Sequence, residues 1–320
     1  MLILWKEVIN VYKEFNTSLV LDKNKNSISI LTPKDFRFKE CLVFLARSKN
    51  EVLHQVNGEY FFKLIKIENK IILLKVSSDF DQLLIEFPDQ NPSEEIKVAA
   101  AGFIWDLFDL GRDLTEFYEL SKDNQMLQLL IEQHFGLRVI GIPDLFEAFT
   151  WAIMGQQINL SFAFSLKRSF VEKYGESFKW KDEIYWLFPT PDVISKIEVS
   201  DLTTMKFTKR KAEYVIGIAK LMAEGCISKE ALNRLDSYEN KLNKLLEIRG
   251  VGNWTADYVL MKCLQEKSAF PIADVGIHNA LKNQLSLEKK PSIEEIKKMA
   301  TKWKGWEAYV TFYLWRSLYS

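Results

Sequence analysis

The sequence predicts an α+β N-terminal domain, a small antiparallel sheet with helices, followed by a mainly α-helical remainder. Three observations carry that prediction. Runs of β-branched and aromatic residues crowd residues 18–78, segments with apolar residues at helical spacing fill the chain beyond residue 99, and the proline-bearing stretch FPDQNPSEE separates the two.

The elements follow in order. SLVL and SISIL read as short strands, and FKECLVFLARSKNEVLHQV, apolar at helical spacing, reads as a helix. EYFFKLIKI and IILLKV partly alternate with lysine and flank Glu68, Asn69 and Lys70, as the arms of a hairpin do. Beyond the linker, helices are expected near 99–111, 115–135, 144–155, 160–174, 209–224, 229–234, 239–247, 253–265, 275–285, 292–302 and 305–318. No strand signal of comparable strength follows Phe87, and neither an internal repeat nor a low-complexity tract is visible.

At 320 residues and 48% hydrophobic content, the chain can bury a large core, in two or three packed units. Lys6 and Glu7 interrupt the mildly apolar Met1–Phe15 run and no small-residue cleavage site follows. Neither a signal peptide nor a membrane span is expected, and the expected compartment is the cytoplasm. Cys41, Cys226 and Cys263 lie too far apart for a ligand cluster and are expected to be buried thiols.

The net charge is zero but unevenly spread. Residues 201–320 carry 20 basic and 14 acidic side chains, a balance of +6, and the rest of the chain carries −6. Asp79 to Glu147 holds 15 acidic against four basic residues, so a nucleic-acid face should lie away from that segment. Charge alone also fits two solvated surfaces of different composition.

The stretch IRGVGNWTADY is more informative. Leu245, Leu246 and Ile248 end an apolar helix, Gly250 and Gly252 permit a tight turn with positive φ, and Asn253 can cap a second helix from about Trp254. Backbone N–H groups at such a turn approach an anion closely and the new helix's positive end favours one, so Gly250, Val251, Gly252 and Asn253 suit a phosphate grip independent of base sequence. A simple glycine-stopped corner between helices has the same pattern.

In this order of motifs the chain resembles the helix-hairpin-helix DNA glycosylases, and among them the DNA-3-methyladenine glycosylase II type. The residues that carry the resemblance are FKECLVFLARSKNEVLHQVNGEYF, GIPDLFEAFTWAIMGQQIN, FPTPDVI, FTKRKAEYVIGIAKLMAEG, IRGVGNWTADY and FPIADVGI. It implies an N-terminal α+β domain over 1–98 and a bilobed helix-hairpin-helix glycosylase core over 99–320. The central lobe would span about 130–266 with the hairpin at 239–265, and the second lobe 99–129 plus 267–320.

By resemblance Asp274 is the catalytic carboxylate. An Asp before VGIHNALKNQL is also a natural helix N-cap, and the roles are compatible because helix amides favour a carboxylate's charged form. Strand-cutting relatives carry a lysine amine where this chain has Trp254, so the resemblance implies hydrolysis to an abasic site without lyase chemistry. Those relatives often place histidine two residues after the aspartate. Here Gly276 stands there, and His278 one turn on reads as surface.

Trp254 and Tyr258, four apart on one helical face, and Trp315 are expected to line a base pocket suited to cationic, alkylated purines. Gln157 in MGQQINLSFA aligns with the wedge that fills the duplex gap, although a solvent-exposed loop glutamine reads the same way. Lys209, Arg210 and Lys211 are candidate phosphate contacts or simply a solvated face. The resemblance further implies that backbone carbonyls of Leu246, Ile248 and Val251 can hold Na+ or K+, and that no iron-sulfur cluster is present. The expected partner is double-stranded DNA with damaged bases, bound by a monomer in the bacterial nucleoid, with no membrane role. A glycosylase for deaminated or oxidised purines, and a noncatalytic damage-binding protein, are the alternatives.

Overall fold

A computed structural model of the chain describes residues 13–21 and 26–319. All but the last three residues of the Met1–Phe15 run therefore lie outside the described residues. Among the described residues no helix is long and apolar enough to cross a membrane.

Six strands form one antiparallel sheet: β1 (Leu19–Leu21), β2 (Ser27–Leu31), β3 (His54–Asn57), β4 (Tyr60–Ile67), β5 (Lys70–Asp79) and β6 (Gln82–Glu86). Their order is β1-β2-β6-β5-β4-β3. The expected hairpin is β4–β5, closed with Ile67 opposite Lys70. The continuous ILL in β5 has a physical cause. Ile72, Leu74 and Val76 face the main core, while Leu73 joins Leu64 and Tyr185 in a separate cluster on the opposite face.

That opposite face is covered by strands that the sequence reading did not anticipate after Phe87. β7 (Ser177–Trp180) and β8 (Glu183–Trp186) pair as a hairpin and lay Trp180 and Tyr185 against Phe62, with ring centroids 5.6 and 5.5 Å apart. The strands are too short to show a period of their own. A sheet strand apolar on both faces was the available signal.

The helix expected over FKECLVFLARSKNEVLHQV stops at Leu45, and the segment's end becomes edge strand β3. Local hydrogen bonding ends it: Asn50 N donates to Ser48 Oγ, and Glu51 Oε1 accepts from the Val52 and Leu53 amides, so backbone groups find partners outside a helix. The helix expected over 115–135 is likewise two, Thr115–Leu120 and Gln125–Gln133, because the Asn124 side chain caps the second. Pro191–Ile194 and Val199–Thr203 add two short helices. The other expected helices form within a few residues of their expected limits.

Leu145–Gly155 is the central helix. Its residues are almost all buried, and it packs on both Lys209–Ala223 and Asn253–Lys262. The main core is continuous from sheet residues such as Ile72 to Leu281 near the C-terminus. Cys41 and Cys263 are buried thiols as expected, whereas Cys226 is exposed because it follows the end of the Lys209–Ala223 helix.

Candidate active site

Asp274 is the N-cap of the Val275–Gln284 helix. Its Oδ1 accepts from the amides of Gly276 at 2.8 Å and Ile277 at 3.3 Å. Two indoles complete the set: Trp315 Nε1 donates to Oδ1 at 2.9 Å, and Trp254 Nε1 donates to Oδ2 at 3.1 Å. The carboxylate is thus fixed by four neutral N–H donors from three helices. Among the described residues no Lys, Arg or His lies in ion-pair contact with it.

Gly276 now has a reason. A Cβ there would sit 2.7 Å from Asp274 Oδ1 and 3.0 Å from Trp315 Cδ1, so a side chain would force the carboxylate and indole apart. His278, expected at the surface, is half-buried, with Nδ1 2.9 Å from Pro291 O and Nε2 3.1 Å from Ile272 O. It ties the start of the Asp274 loop to the loop before the next helix.

The three aromatics expected to line a pocket come together. Tyr258 lies between the tryptophans, its centroid 5.6 Å from Trp254 at 31° and 6.0 Å from Trp315 at 35°. Trp151, Phe164 and Tyr258 form the buried backing of this cluster, against which both tryptophans pack. The indole N–H edges point at Asp274, which leaves their faces for stacking. Burial pushes the Tyr258 hydroxyl well above its ordinary value, Arg47 opposing and Asp274 adding to the shift.

Behind Tyr258 lies a cavity of about 50 Å³, lined among others by Arg47, Glu51, Glu147, Trp151, Lys167 and Lys262. Lys167 bridges Glu51 at 3.1 Å and Glu147 at 3.2 Å. Burial holds Lys262 well below the ordinary lysine range, with Arg47 lowering it further; its Nζ donates to Ile140 O and lies 4.6 Å from the Phe312 ring centroid.

The hairpin runs from Tyr238–Leu246 to Asn253–Lys262. Gly250 has φ +92 and packs so closely on Tyr214 that a Cβ would fall 2.3 Å from the ring. Gly252, expected to share that backbone region, is instead extended at φ −97 with open space around it. Gly252, not Asn253, is the N-cap, and no side chain caps this helix. The first amides of a helix have no intrahelical acceptor, and here no side chain supplies one. Asp257 braces the hairpin from within, its Oδ1 accepting from Tyr238 Oη at 2.5 Å and from the Phe270 amide at 3.3 Å.

Gln157 is exposed just beyond the Leu145–Gly155 helix, with φ +56, a region uncommon for a residue with a side chain. The loop abuts the pocket: a Cβ on Gly155 would lie 3.8 Å from Trp254 Cη2. Lys209 and Arg210 are exposed, but Lys211 is buried and donates to Met154 O and Gln156 O, so it does not face a phosphate.

Two residues near the site escaped the sequence reading. Burial raises the Tyr319 hydroxyl's pKa, Arg47 opposing and Asp274 adding, which sets this tyrosine beside both groups. It lies beyond the end of the Glu307–Arg316 helix, so helical spacing from Trp315 could not place it. Arg47, with Cζ 3.9 Å from the Phe44 ring centroid and 5.3 Å from Phe164, had no usable signal, since it sits in the segment expected to be an ordinary helix.

Fold and site together define a helix-hairpin-helix protein with an aromatic cluster around an indole-bound aspartate. Residues 150–305 match the HhH-GPD superfamily of base excision DNA repair proteins, and residues 29–149 match the 8-oxoguanine DNA glycosylase N-terminal domain. The chain is 43% identical over 298 residues to a DNA-3-methyladenine glycosylase of Bacillus subtilis, covering 92% of this chain and 98% of that one. A putative DNA-3-methyladenine glycosylase of the same organism is 30% identical, covering 98% of this chain and 100% of the relative. The solved 3-methyladenine DNA glycosylase of Archaeoglobus fulgidus shares the fold, with a TM-score of 0.78 at 22% identity over 90% of this chain and 96% of that one. The chain belongs to the HhH-GPD superfamily, on the branch of the DNA-3-methyladenine glycosylases.

Proposed function

We propose that this base-excision DNA glycosylase flips alkylated purines, of the 3-methyladenine and 7-methylguanine type, out of double-stranded DNA and hydrolyses their N-glycosidic bonds. The observation that carries the reading is Asp274: a carboxylate oriented by four N–H donors, with no cation in contact among the described residues, beside the aromatic cluster of Trp254, Tyr258 and Trp315.

The chemistry follows from charge. Departure of the base builds positive charge on the deoxyribose, and a carboxylate about 3.5 Å away at an effective dielectric near 20 attracts it by roughly 5 kcal/mol. A purine alkylated on a ring nitrogen is cationic, stacks favourably on Trp254, Tyr258 and Trp315, and leaves neutral, which reduces the need for a general acid. Trp254 occupies the position where a lysine would attack the sugar. Water placed by Asp274 therefore completes the reaction, leaving an abasic site.

The hairpin turn from Gly250 to Asn253 grips a phosphate, the Val251 amide being already bonded to Ile248 O, and Gln157 fills the space that the flipped nucleotide leaves. We propose in the same way that the carbonyls of Leu246, Ile248 and Val251 hold a monovalent cation. Ile248 O accepts the Val251 amide at 3.0 Å, and a carbonyl has a second lone pair. Bound Na+ or K+ would add positive charge beside the phosphate.

The match of residues 29–149 to the 8-oxoguanine glycosylase N-terminal domain supports oxidised purines as a second reading. Incubation with methylated duplex DNA and with 8-oxoguanine duplex, followed by chromatography of released bases, separates the two. Release of 3-methyladenine and 7-methylguanine with uncut abasic strands is expected. Release of 8-oxoguanine alone, or of no base, would overturn the proposal.

A further inference from the structure

The loop that carries Gln157 is fastened at two points. Lys211, in the first turn of the Lys209–Ala223 helix, is buried, and its Nζ donates to Met154 O at 2.8 Å and to Gln156 O at 2.6 Å. Both carbonyls lie at the C-terminal end of the Leu145–Gly155 helix, where unpaired carbonyls and the helix dipole favour a cation. On its other side, Gln156 Nε2 donates to Thr255 Oγ1 at 3.0 Å and lies 3.4 Å from Gly250 O. Gly250 is the tight corner of the hairpin, and Thr255 lies in the first turn after it.

Residue 156 is therefore held by a lysine through its carbonyl and by the hairpin through its side chain. The next residue, Gln157, projects to solvent from a left-handed backbone position. A left-handed non-glycine persists where its surroundings over-determine it, and the two fastenings supply that constraint.

We infer that Lys211 and Gln156 are positioning residues that lock the Gln157 loop to the hairpin, so that seating the hairpin on a backbone phosphate fixes the angle at which Gln157 enters the duplex. This rests on the glycosylase reading above, in which the hairpin grips phosphate and Gln157 is the wedge. Neither residue touches the base or the sugar. Their contribution is to opening the base pair, so it matters most where a pair must be opened.

Lys211→Met keeps the stem of the side chain and removes its donors; Gln156→Leu cuts only the link to the hairpin. Each would be assayed with one 7-methylguanine either paired with cytosine or placed in a single-nucleotide bulge with no partner. For both variants we expect duplex affinity within about twofold of wild type and single-turnover release from the paired lesion reduced about tenfold or more, a factor worth about 1.4 kcal/mol. Release from the bulge should stay within about threefold. A uniform loss on both substrates, or no loss on either, overturns the inference. Should Lys211→Met lose its cooperative melt, Gln156→Leu decides, since Gln156 is only half-buried at a helix end. A second readout does not depend on chemistry: fluorescence of 2-aminopurine placed at the lesion position reports flipping and should rise less with either variant than with wild type. Wild type that unstacks 2-aminopurine but releases no base would overturn the glycosylase reading, and the fluorescence difference would still decide this one.

Discussion

Tyr258 separates two groups of acids that are held in opposite ways. On one side, Glu51 and Glu147 share the Lys167 ammonium, all three side chains nearly buried, and the Lys167–Glu51 pair ties the N-terminal segment to the central helices. On the other side, Asp274 is held by two backbone amides and two indole N–H groups. A cation partner cancels a carboxylate's field, whereas neutral donors orient the group and leave its net charge to act on whatever enters the cleft. The first arrangement suits holding the fold together, and the second suits stabilising a cation that exists only during reaction.

The largest effect should come from Asp274→Asn, which removes the charge and keeps the size. Single-turnover release of 7-methylguanine should fall about a thousandfold, or about 4 kcal/mol, while affinity for undamaged duplex stays within about threefold. The variant's amide also turns one former acceptor into a donor opposed to an indole N–H. A folded variant with release within tenfold of wild type would remove Asp274 from the chemistry.

Lys167→Met tests the other side. It leaves Glu51 and Glu147 facing each other without their shared cation, and stripping one partner from a buried ionic group costs about 3 kcal/mol or more. Urea unfolding should register that loss, whereas base release per folded molecule should change less than about threefold. Unaltered stability with strongly reduced release would reverse the roles assigned to the two sides of Tyr258.

The two sides were also unequally legible in the sequence. Asp274, Trp254, Tyr258 and Trp315 were identified because motif order placed them, and the cap role of Asp274 followed from VGIHNALKNQL alone. What the motifs did not convey was that both indoles turn their N–H edges to the carboxylate, or that Gly276 makes room for it. Those are facts of three-dimensional approach between residues 20 and 41 positions apart. The Glu51–Lys167–Glu147 cluster gave no local signal, since its members are 116 and 20 residues apart and each reads as surface charge. Much of the helical fold was legible from period alone. β7 and β8 were not, because four-residue strands show no period, and only the two-sided burial of β5 calls for them.

Asp257 supplies the smallest and most exacting test, because it has neutral donors as Asp274 does but is buried. It is buried, has no cation partner among the described residues, and is held by the Tyr238 hydroxyl and the Phe270 amide at the start of the segment leading to Asp274. Burial pushes its carboxyl up to about 6, although both hydrogen bonds pull it down. In the unfolded chain the same group titrates near 3.9. The folded protein therefore binds this proton more tightly than the unfolded chain does. The stability it contributes is fully present below about pH 4 and is lost as pH rises through about 6. Asp257→Asn keeps an acceptor for Tyr238 and Phe270 and abolishes the titration. The stability of the variant relative to wild type should therefore climb between about pH 4.5 and 6.5, by on the order of 1 kcal/mol, and level off above pH 7. A difference that stays flat across this range, or falls as pH rises, would mean that the carboxyl is charged in the fold and that neutral donors alone suffice to hold a buried anion. In that event the arrangement around Asp274 would need no special explanation.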